Sequence, residues 1–388
     1  MAHQAVGNEL PGPSHVGILG GGQLGRMMAI AGIPLGLEFV FLDPSVEACA
    51  GSVGRLLQAD FSDVEAARQL ASMVDVATFD FENIPQETAQ ALAQIKPLHP
   101  SSRALGSCQD RLDEKELLSG LGIRVAPYHV VSSRTDLLDG LDLLSYPVVL
   151  KTRRLGYDGK GQALIRDQED LERAWQALGD HELILESFVP FQAECSLIAV
   201  RGLNGETCFW PLTRNVHSGG ILALSLAADF DKNLQTKAEG MMQSLLDHFA
   251  YVGVLTLEFF VLEGALLVNE IAPRVHNSGH WTIDGAETSQ FENHLRAITG
   301  MPLGGTAARH EALMFNWIGE LPNRDLALSI PGLHWHDYGK SARPGRKIGH
   351  ATLTAATRQE LAIRARQLAS QAGGLFSTLL DEIPGMES

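Results

Sequence analysis

Leu255-Thr-Leu-Glu258-Phe-Phe-Val-Leu-Glu263-Gly264-Ala-Leu-Leu-Val-Asn269-Glu270-Ile-Ala-Pro273-Arg274-Val-His276-Asn-Ser-Gly-His280-Trp281-Thr282 is the stretch from which the fold of this chain is read. Two apolar runs flank Glu263-Gly264, which predicts a β-hairpin. Each run carries one acid foreign to an apolar strand, Glu258 and Glu270, twelve residues apart. Side chains alternate faces along a strand, so the two acids share a face only if the loop holds an odd number of residues. A three-residue loop of Leu262, Glu263 and Gly264 meets that condition, with Gly264 supplying the positive φ. Two carboxylates ~4 Å apart at a partly buried site repel by roughly 4 kcal/mol at an effective dielectric of ~20. A shared proton or a cation relieves that repulsion. An all-oxygen site with few protein ligands suits Mg²⁺, which keeps waters and takes substrate phosphates. The competing reading is two unrelated glutamates on a strand edge. The tail that follows gathers Arg274, His276, Asn277, Ser278 and His280 in a loop that Pro273 keeps from starting as helix.

Composition narrows the class. The 388 residues provide for two or three domains with a buried core. A net charge of −16 argues against a general nucleic-acid or anionic-membrane binder. Cys49, Cys108, Cys195 and Cys208 are scattered, so neither a disulfide framework nor structural zinc is expected, and a reducing cytoplasm is the simpler setting. No apolar run reaches membrane-span length without a charge. Residues 1–14 are polar, with Gly and Pro, and read as a frayed extension.

Further along the chain, a short strand from His15 to Leu19 leads into Gly20-Gly-Gly22-Gln-Leu-Gly25. A second strand, Glu38 to Leu42, ends at Asp43. This predicts a doubly wound parallel, Rossmann-like domain over 15–102. One reading of the glycines is a dinucleotide-binding dehydrogenase; the other is a tight turn whose amides face a smaller phosphate or sugar. A third strand, Val74 to Phe79, is followed by Asp80-Phe-Glu82, acids where such folds place ligands, although Glu82 also reads as a cap for the helix from Gln86 to Gln94. A second domain follows a linker near Pro97 to Ser102. Its helix from Gln109 carries Arg111 and Lys115, charges that alone say little. The strand ending at Lys151 runs into Arg153, Arg154 and Gly156-Tyr157-Asp158-Gly159-Lys160-Gly161-Gln162. Open amides and positive charge there predict a mobile polyphosphate lid, though not a Walker A loop. Glu186 to Pro190 closes another strand, Glu194 opens the next, and His217 alone reads as a core histidine. Arg343-Pro-Gly-Arg346-Lys347-Ile-Gly-His350 is a tight basic turn in a third segment from residue 301.

A basic Gly-rich lid, a strand-end acid and a Glu…Asn-Glu hairpin, in that order, resemble the ATP-grasp superfamily. Within it the chain is similar to the 5-(carboxyamino)imidazole ribonucleotide synthase family of purine biosynthesis. The resemblance rests on Gly20 to Met27, Gly156 to Gln162, Asn269 to Trp281 and Pro344 to His350. It implies an ATP-grasp α/β architecture, with the ATP-grasp domain over 103–300 and a small C-terminal domain over 301–388. It implies ATP held by Arg111, Lys151, Gly156, Tyr157, Asp158, Gly159, Lys160, Gly161, Gln162, Glu186, Ser187, Phe188, Val189, Glu194, His217, Asn269 and Glu270. In that set Lys151 meets the phosphates, Glu186 and the backbone near Val189 meet adenine, and Glu194 holds ribose. Mg²⁺, with Mn²⁺ as an alternative, is implied on Glu258 and Glu270. The aminoimidazole ribonucleotide is implied at Gln23, Leu24, Glu82, Tyr157, Asp158, Arg274, His276, Arg346 and Lys347. Arg274, His276, Asp158 and Lys151 are the implied catalytic residues, with Asp158 or His276 taking the proton of the reacting amine. The resemblance also implies bicarbonate as co-substrate and a cytoplasmic homodimer, with neither nucleic-acid nor membrane partners. Rival readings are another ATP-grasp carboxylase or formyl transferase, and a non-catalytic nucleotide sensor.

Overall fold

The computed structural model describes residues 12–156, 159–227, 230–372 and 374–387. Most of the N-terminal extension, and lid residues Tyr157 and Asp158, lie outside them. Seventeen strands form three sheets among the described residues. The first is parallel, with β1 (His15–Leu19), β2 (Glu38–Asp43), β3 (Arg55–Gln58) and β4 (Val76–Phe79) in the order β3-β2-β1-β4. Its centre is apolar on both faces, as a sheet covered by helices requires. The strand expected from Val74 begins at Val76. β3 was not anticipated, because Arg55-Leu-Leu-Gln58 is too short and half-exposed to show a period.

The second sheet is antiparallel: β5 (Tyr128–Val131), β6 (Val148–Thr152), β7 (Gln162–Ile165) and β8 (Leu183–Ser187), in the order β5-β8-β6-β7. The helices Arg134–Leu144 and Gln168–Leu178 pack against this sheet over one shared core, capped at their N-termini by the Ser133 and Asp167 side chains. The stretch expected to form the lid falls between β6 and β7, where Lys151 pairs with Gln162.

The third and largest sheet comprises β9 (Ala193–Arg201), β10 (Thr207–Phe209), β11 (Thr213–Ser218), β12 (Ile221–Ala227), β13 (Gly253–Leu262), β14 (Ala265–Ala272), β15 (Glu311–Ile318), β16 (Leu333–Asp337) and β17 (Lys347–Ala355). Its order is β14-β13-β9-β11-β12-β15-β17-β16, with β10 on β9. The three strands of the last segment therefore extend the central sheet, through β12 and β15, rather than forming one of their own. The parallel sheet is fastened to this body where helix Gln23–Gly32 packs on helix Gln290–Thr299, and where Thr78 Oγ1 meets His294 Nε2 at 2.8 Å inside the core. Among the described residues, no helix is long and apolar enough to cross a membrane.

Candidate active site

The predicted hairpin is present, but its parity is set differently. β13 and β14 are joined by the two residues Glu263 and Gly264, both at positive φ (50° and 72°), the pattern of a type I′ turn. A two-residue loop alone would put Glu258 and Glu270 on opposite faces. The register shifts instead between Phe259↔Val268 and Glu258↔Glu270, leaving Asn269 as the extra residue of a β-bulge. The expected three-residue loop is thus replaced by a shorter turn plus a bulge, and the two acids pair directly.

The same face continues across the sheet. Glu258 pairs with Ser196 of β9, and Asn215 of β11 pairs with Glu194 of β9 and with Ser225 of β12. Glu270, Glu258, Glu194, Ser196, Asn215 and Ser225 therefore share one side. The tail after Pro273 folds back over this row. His276 Nε2 lies 3.2 Å from Glu258 Oε1, and its Nδ1 lies 2.8 Å from Ser278 Oγ. Asn277 exchanges two side-chain hydrogen bonds with Asn316 of β15, at 3.1 and 2.8 Å. A side chain on Gly279 would collide with Ile198 and Gln290, so only glycine lets the loop sit this low. Trp281 is fully buried and donates to Thr213 Oγ1 at 3.0 Å.

On one side of the glutamate pair lie cations. Arg111 Nη1 is 3.3 Å from Glu270 Oε2. Lys151 Nζ donates to Glu186 Oε2 at 2.9 Å, and Lys115 Nζ lies 3.2 Å from Glu186 Oε1, with all three residues buried. Burial works against the Glu186 carboxylate, yet Lys151, Lys115 and Arg111 outweigh it and hold its pKa down to about 2. Burial pulls the Lys151 ammonium down, and Glu186 opposes that. The expected ATP residues Glu194 and His217 form a pair at 2.8 Å, so His217 is a partner of an acid and not an isolated core histidine. The amides of Ser187 and Phe188 are taken by the carbonyls of Pro127 and Pro147, while the Phe188 ring is exposed and Val189 is buried. At the lid's base, Arg153 and Arg154 grip Asp110, and the Arg111 amide donates to the Arg153 carbonyl.

On the other side is the glycine turn. Asp80 Oδ2 accepts from the amides of Gly22 and Gly25, both at 2.9 Å, and Asp43 Oδ2 accepts from Gly21 at 2.8 Å. The donors a dinucleotide pyrophosphate would use are already bound to the protein's own carboxylates, so the dehydrogenase reading fails on geometry. Glu82 pairs with Arg274 at 2.8 Å, and the helix Gln86–Ala93 has no side-chain cap, which removes the capping role for Glu82. Gln23 Oε1 is bonded to Lys340 Nζ. The Leu24 side chain is buried in the core, so only its backbone can face a ligand. Arg346 binds its own turn through Ser341 Oγ at 2.8 Å. The charge of Lys347 reaches Glu258, His276 and Lys340, which puts it between the glycine turn and the glutamate pair.

Burial and then Glu270 push the Glu258 carboxyl above the usual range. Asn269 Oδ1, carried by the bulge, is buried with no hydrogen-bond partner. No cluster of three or more His, Cys, Asp or Glu ligands occurs among the described residues. Two facing carboxylates with an unpaired amide oxygen beside them fit a hard, water-keeping cation such as Mg²⁺ and not a metal needing a full protein cage.

Three residues of this region escaped the sequence reading of the site. Lys115 sits one helical turn after Arg111, a spacing that shares a face, but its charge looked solvated until burial was known. Lys340 lies in a loop without pattern. Asp80 was noted only as a strand-end acid, and its use on the glycine amides needed the fold.

Known proteins resemble this chain along most of its length. The ATP-grasp domain family matches residues 116–291, the ribonucleotide synthetase preATP-grasp domain 14–109, and the phosphoribosylaminoimidazole carboxylase C-terminal domain 312–364. The N5-carboxyaminoimidazole ribonucleotide synthase of Pseudomonas aeruginosa is 50% identical over 349 residues, covering 90% of this chain and 97% of that protein. The crystal structure of the N5-carboxyaminoimidazole ribonucleotide synthetase from Thermus thermophilus aligns with a TM-score of 0.88 at 52% identity, over 92% of this chain and 98% of that one. The synthase from Aspergillus clavatus, solved in complex with ADP and 5-aminoimidazole ribonucleotide, aligns at 0.86 with 32% identity, over 92% and 98%. Identity at this level, across nearly the full length of both partners and all three sheets, assigns the chain to the N5-carboxyaminoimidazole ribonucleotide synthase family of ATP-grasp enzymes.

Proposed function

We propose that this chain uses ATP and bicarbonate to carboxylate the 5-amino group of 5-aminoimidazole ribonucleotide through carboxyphosphate. The observation that carries the reading is the Glu258–Glu270 pair lying between two cationic pockets, one built on Lys151, Lys115 and Arg111, the other on Lys340, Arg346 and Lys347. Two anionic substrates that must meet at one point need positive charge on both sides of it. The names of the relatives, and the ADP and ribonucleotide in the Aspergillus clavatus complex, support the choice of substrates.

Bicarbonate carbon is a poor electrophile because its oxygens already donate to it. A bicarbonate oxygen attacks the γ-phosphorus, the bond to ADP breaks, and the carbon gains phosphate as a leaving group. The ribonucleotide amine attacks that carbon, or the CO₂ it releases, to form the C–N bond; phosphate leaves with the former bicarbonate oxygen and takes up the proton that the amine loses. Phosphoryl transfer of this kind is governed by positioning and charge neutralisation. Lys151 is held toward the phosphates by Glu186, which also orients Lys115. Glu258 and Glu270, with Asn269 beside them, would hold Mg²⁺, which supplies positive charge to phosphate oxygens. Arg274, fixed by Glu82, adds a half-buried positive charge where the glycine turn meets the loop after Pro273. Carboxyphosphate hydrolyses readily, so the lid over 156–162 has to exclude water.

The direct test uses heavy-oxygen-labelled bicarbonate. Carboxyphosphate formation transfers one labelled oxygen to the released phosphate, dependent on the ribonucleotide for sustained turnover. Phosphate free of label under turnover would contradict the carboxyphosphate route.

A further inference from the structure

Beneath the glutamate pair runs a buried string of hydrogen bonds that the reaction scheme does not use. It begins at Ser225, whose Oγ donates to Asn215 Oδ1 at 2.9 Å. Asn215 Nδ2 then donates to Ser196 Oγ at 3.1 Å, and Ser196 Oγ donates to Ser278 Oγ at 2.6 Å. Ser278 Oγ reaches His276 Nδ1 at 2.8 Å. Ser196, Ser225 and Ser278 are wholly buried and Asn215 nearly so, on the three neighbouring strands β9, β11 and β12 and the loop after Pro273. Interior polar strings persist when every member is satisfied, because an unpaired buried group is costly.

The backbone sets the direction of this string. The amide of Ser278 donates to His276 Nδ1 at 3.3 Å, and a backbone amide cannot accept, so Nδ1 is an acceptor. Ser278 Oγ then gives its hydrogen to Nδ1 and accepts from Ser196, and Ser196 accepts from Asn215 Nδ2.

We propose that Asn215, Ser196 and Ser278 are positioning residues that lock neutral His276 in the tautomer protonated at Nε2. The Nε2–H bond then points at the Glu258 carboxylate and at the place where the proposed reaction occurs. His276 acts there as a hydrogen-bond donor to a carboxyl or phosphoryl oxygen, not as the base that removes the amine's proton. The lock works from the Nδ1 side and is unaffected by what faces Nε2. The catalytic part of this inference rests on the proposed carboxylation; the tautomer does not.

The test is NMR of the full-length protein with ring-nitrogen-labelled histidine, His276 being assigned by its loss in His276→Gln. In the wild type, Nδ1 should carry the unprotonated signature and Nε2 the protonated one. The opposite pattern, or a mixture of the two, would overturn the inference. Asn215→Asp is isosteric and, when ionised, only accepts, so it turns the Ser196 hydroxyl toward itself and the Ser278 hydroxyl toward Ser196. The Ser278 amide, which cannot turn, is then the sole donor left to Nδ1. The expected result is a His276 that samples both tautomers, with averaged ring-nitrogen shifts, a fall in kcat of at least threefold, and a KM for ATP within threefold of wild type. Averaged shifts with wild-type kcat would refute the catalytic role. Should that variant fail to fold, Ser196→Ala frees the Ser278 hydroxyl to rotate while sparing the Ser278 amide. It should move the shifts and kcat in the same direction by less; unchanged spectra and kcat would overturn the string's role. Absence of carboxylation in the wild type itself would refute the proposed function and leave the tautomer result standing.

Discussion

Glu258 and Glu270 face each other across β13 and β14 because Asn269 bulges out of register between them and the turn. An apolar sheet has no use for two adjacent acids. The bulge brings together what the short turn would have separated, and it presents the Asn269 amide oxygen to the same place. Deleting Asn269 restores a regular ladder in which Glu270 still pairs with Glu258, but removes the amide oxygen that the bulge presents. The expected outcome is a fall in ATP hydrolysis of at least tenfold with the protein still folded, measured by phosphate release and circular dichroism. Activity near wild type would show that the bulge and its amide oxygen are incidental.

Glu186 should matter more to the fold than its position near a ligand suggests. Replacing it by Gln leaves Lys115 and Lys151 buried without their counter-charge, a change that typically costs about 3–5 kcal/mol. The pH dependence has a definite sign. The folded pKa, about 2, lies below the usual glutamate value of 4.5, so the stabilisation is present above about pH 4.5 and is lost as pH falls toward 2. That span corresponds to about 3 kcal/mol. Denaturant titrations from pH 7 to pH 3 should show the wild type losing more stability than Glu186→Gln. Parallel curves would mean that the ion pairs contribute little.

Lys340 is expected to bind the ribonucleotide rather than ATP, since it bonds to Gln23 at the glycine turn and stands apart from Lys151. Lys340→Met should raise the KM for the ribonucleotide about tenfold, equivalent to about 1.4 kcal/mol, and leave the KM for ATP unchanged. Lys347→Ala should likewise raise the ribonucleotide KM more than that for ATP, with a larger loss of kcat because its field reaches Glu258 and His276. Steady-state kinetics with each substrate varied in turn would check both. A change confined to ATP would place the basic turn on the wrong substrate.

Asp80 bonds to two amides of the glycine turn, and that occupation accounts for a nucleotide fingerprint without a dinucleotide. Asp80→Ala leaves the buried Gly25 amide and the part-buried Gly22 amide unpaired, at a cost of about 2–4 kcal/mol. NADH should not bind the wild type in a fluorescence titration. Saturable binding would restore the dehydrogenase reading.

The parts of this protein that were legible in its sequence are those where local pattern and chemistry coincide. The hairpin acids, the parallel opening and the basic lid ends were readable because strand alternation and Gly placement act over a few residues. The bulge at Asn269 was not, since one odd residue in the loop or in the ladder gives the same parity. Lys115 and Asp80 were not assigned because a charge on a helix face or strand end declares its role only when burial is known. The Ser225–Asn215–Ser196–Ser278 string was invisible for a different reason: its members are ordinary polar residues on separate strands, joined only by sheet register. His217 read as a core histidine by itself, and the pairing with Glu194 depended on β9 and β11 lying side by side.

The most direct measurement is phosphate release from ATP and Mg²⁺ with bicarbonate and 5-aminoimidazole ribonucleotide added singly and together, in the wild type and in Glu270→Gln. Release in the wild type should rise sharply only when both are present, and Glu270→Gln should fall at least a hundredfold with its melting temperature within a few degrees of wild type. Hydrolysis indifferent to bicarbonate, or a Glu270→Gln variant as active as the wild type, would contradict a reaction centred on the paired glutamates.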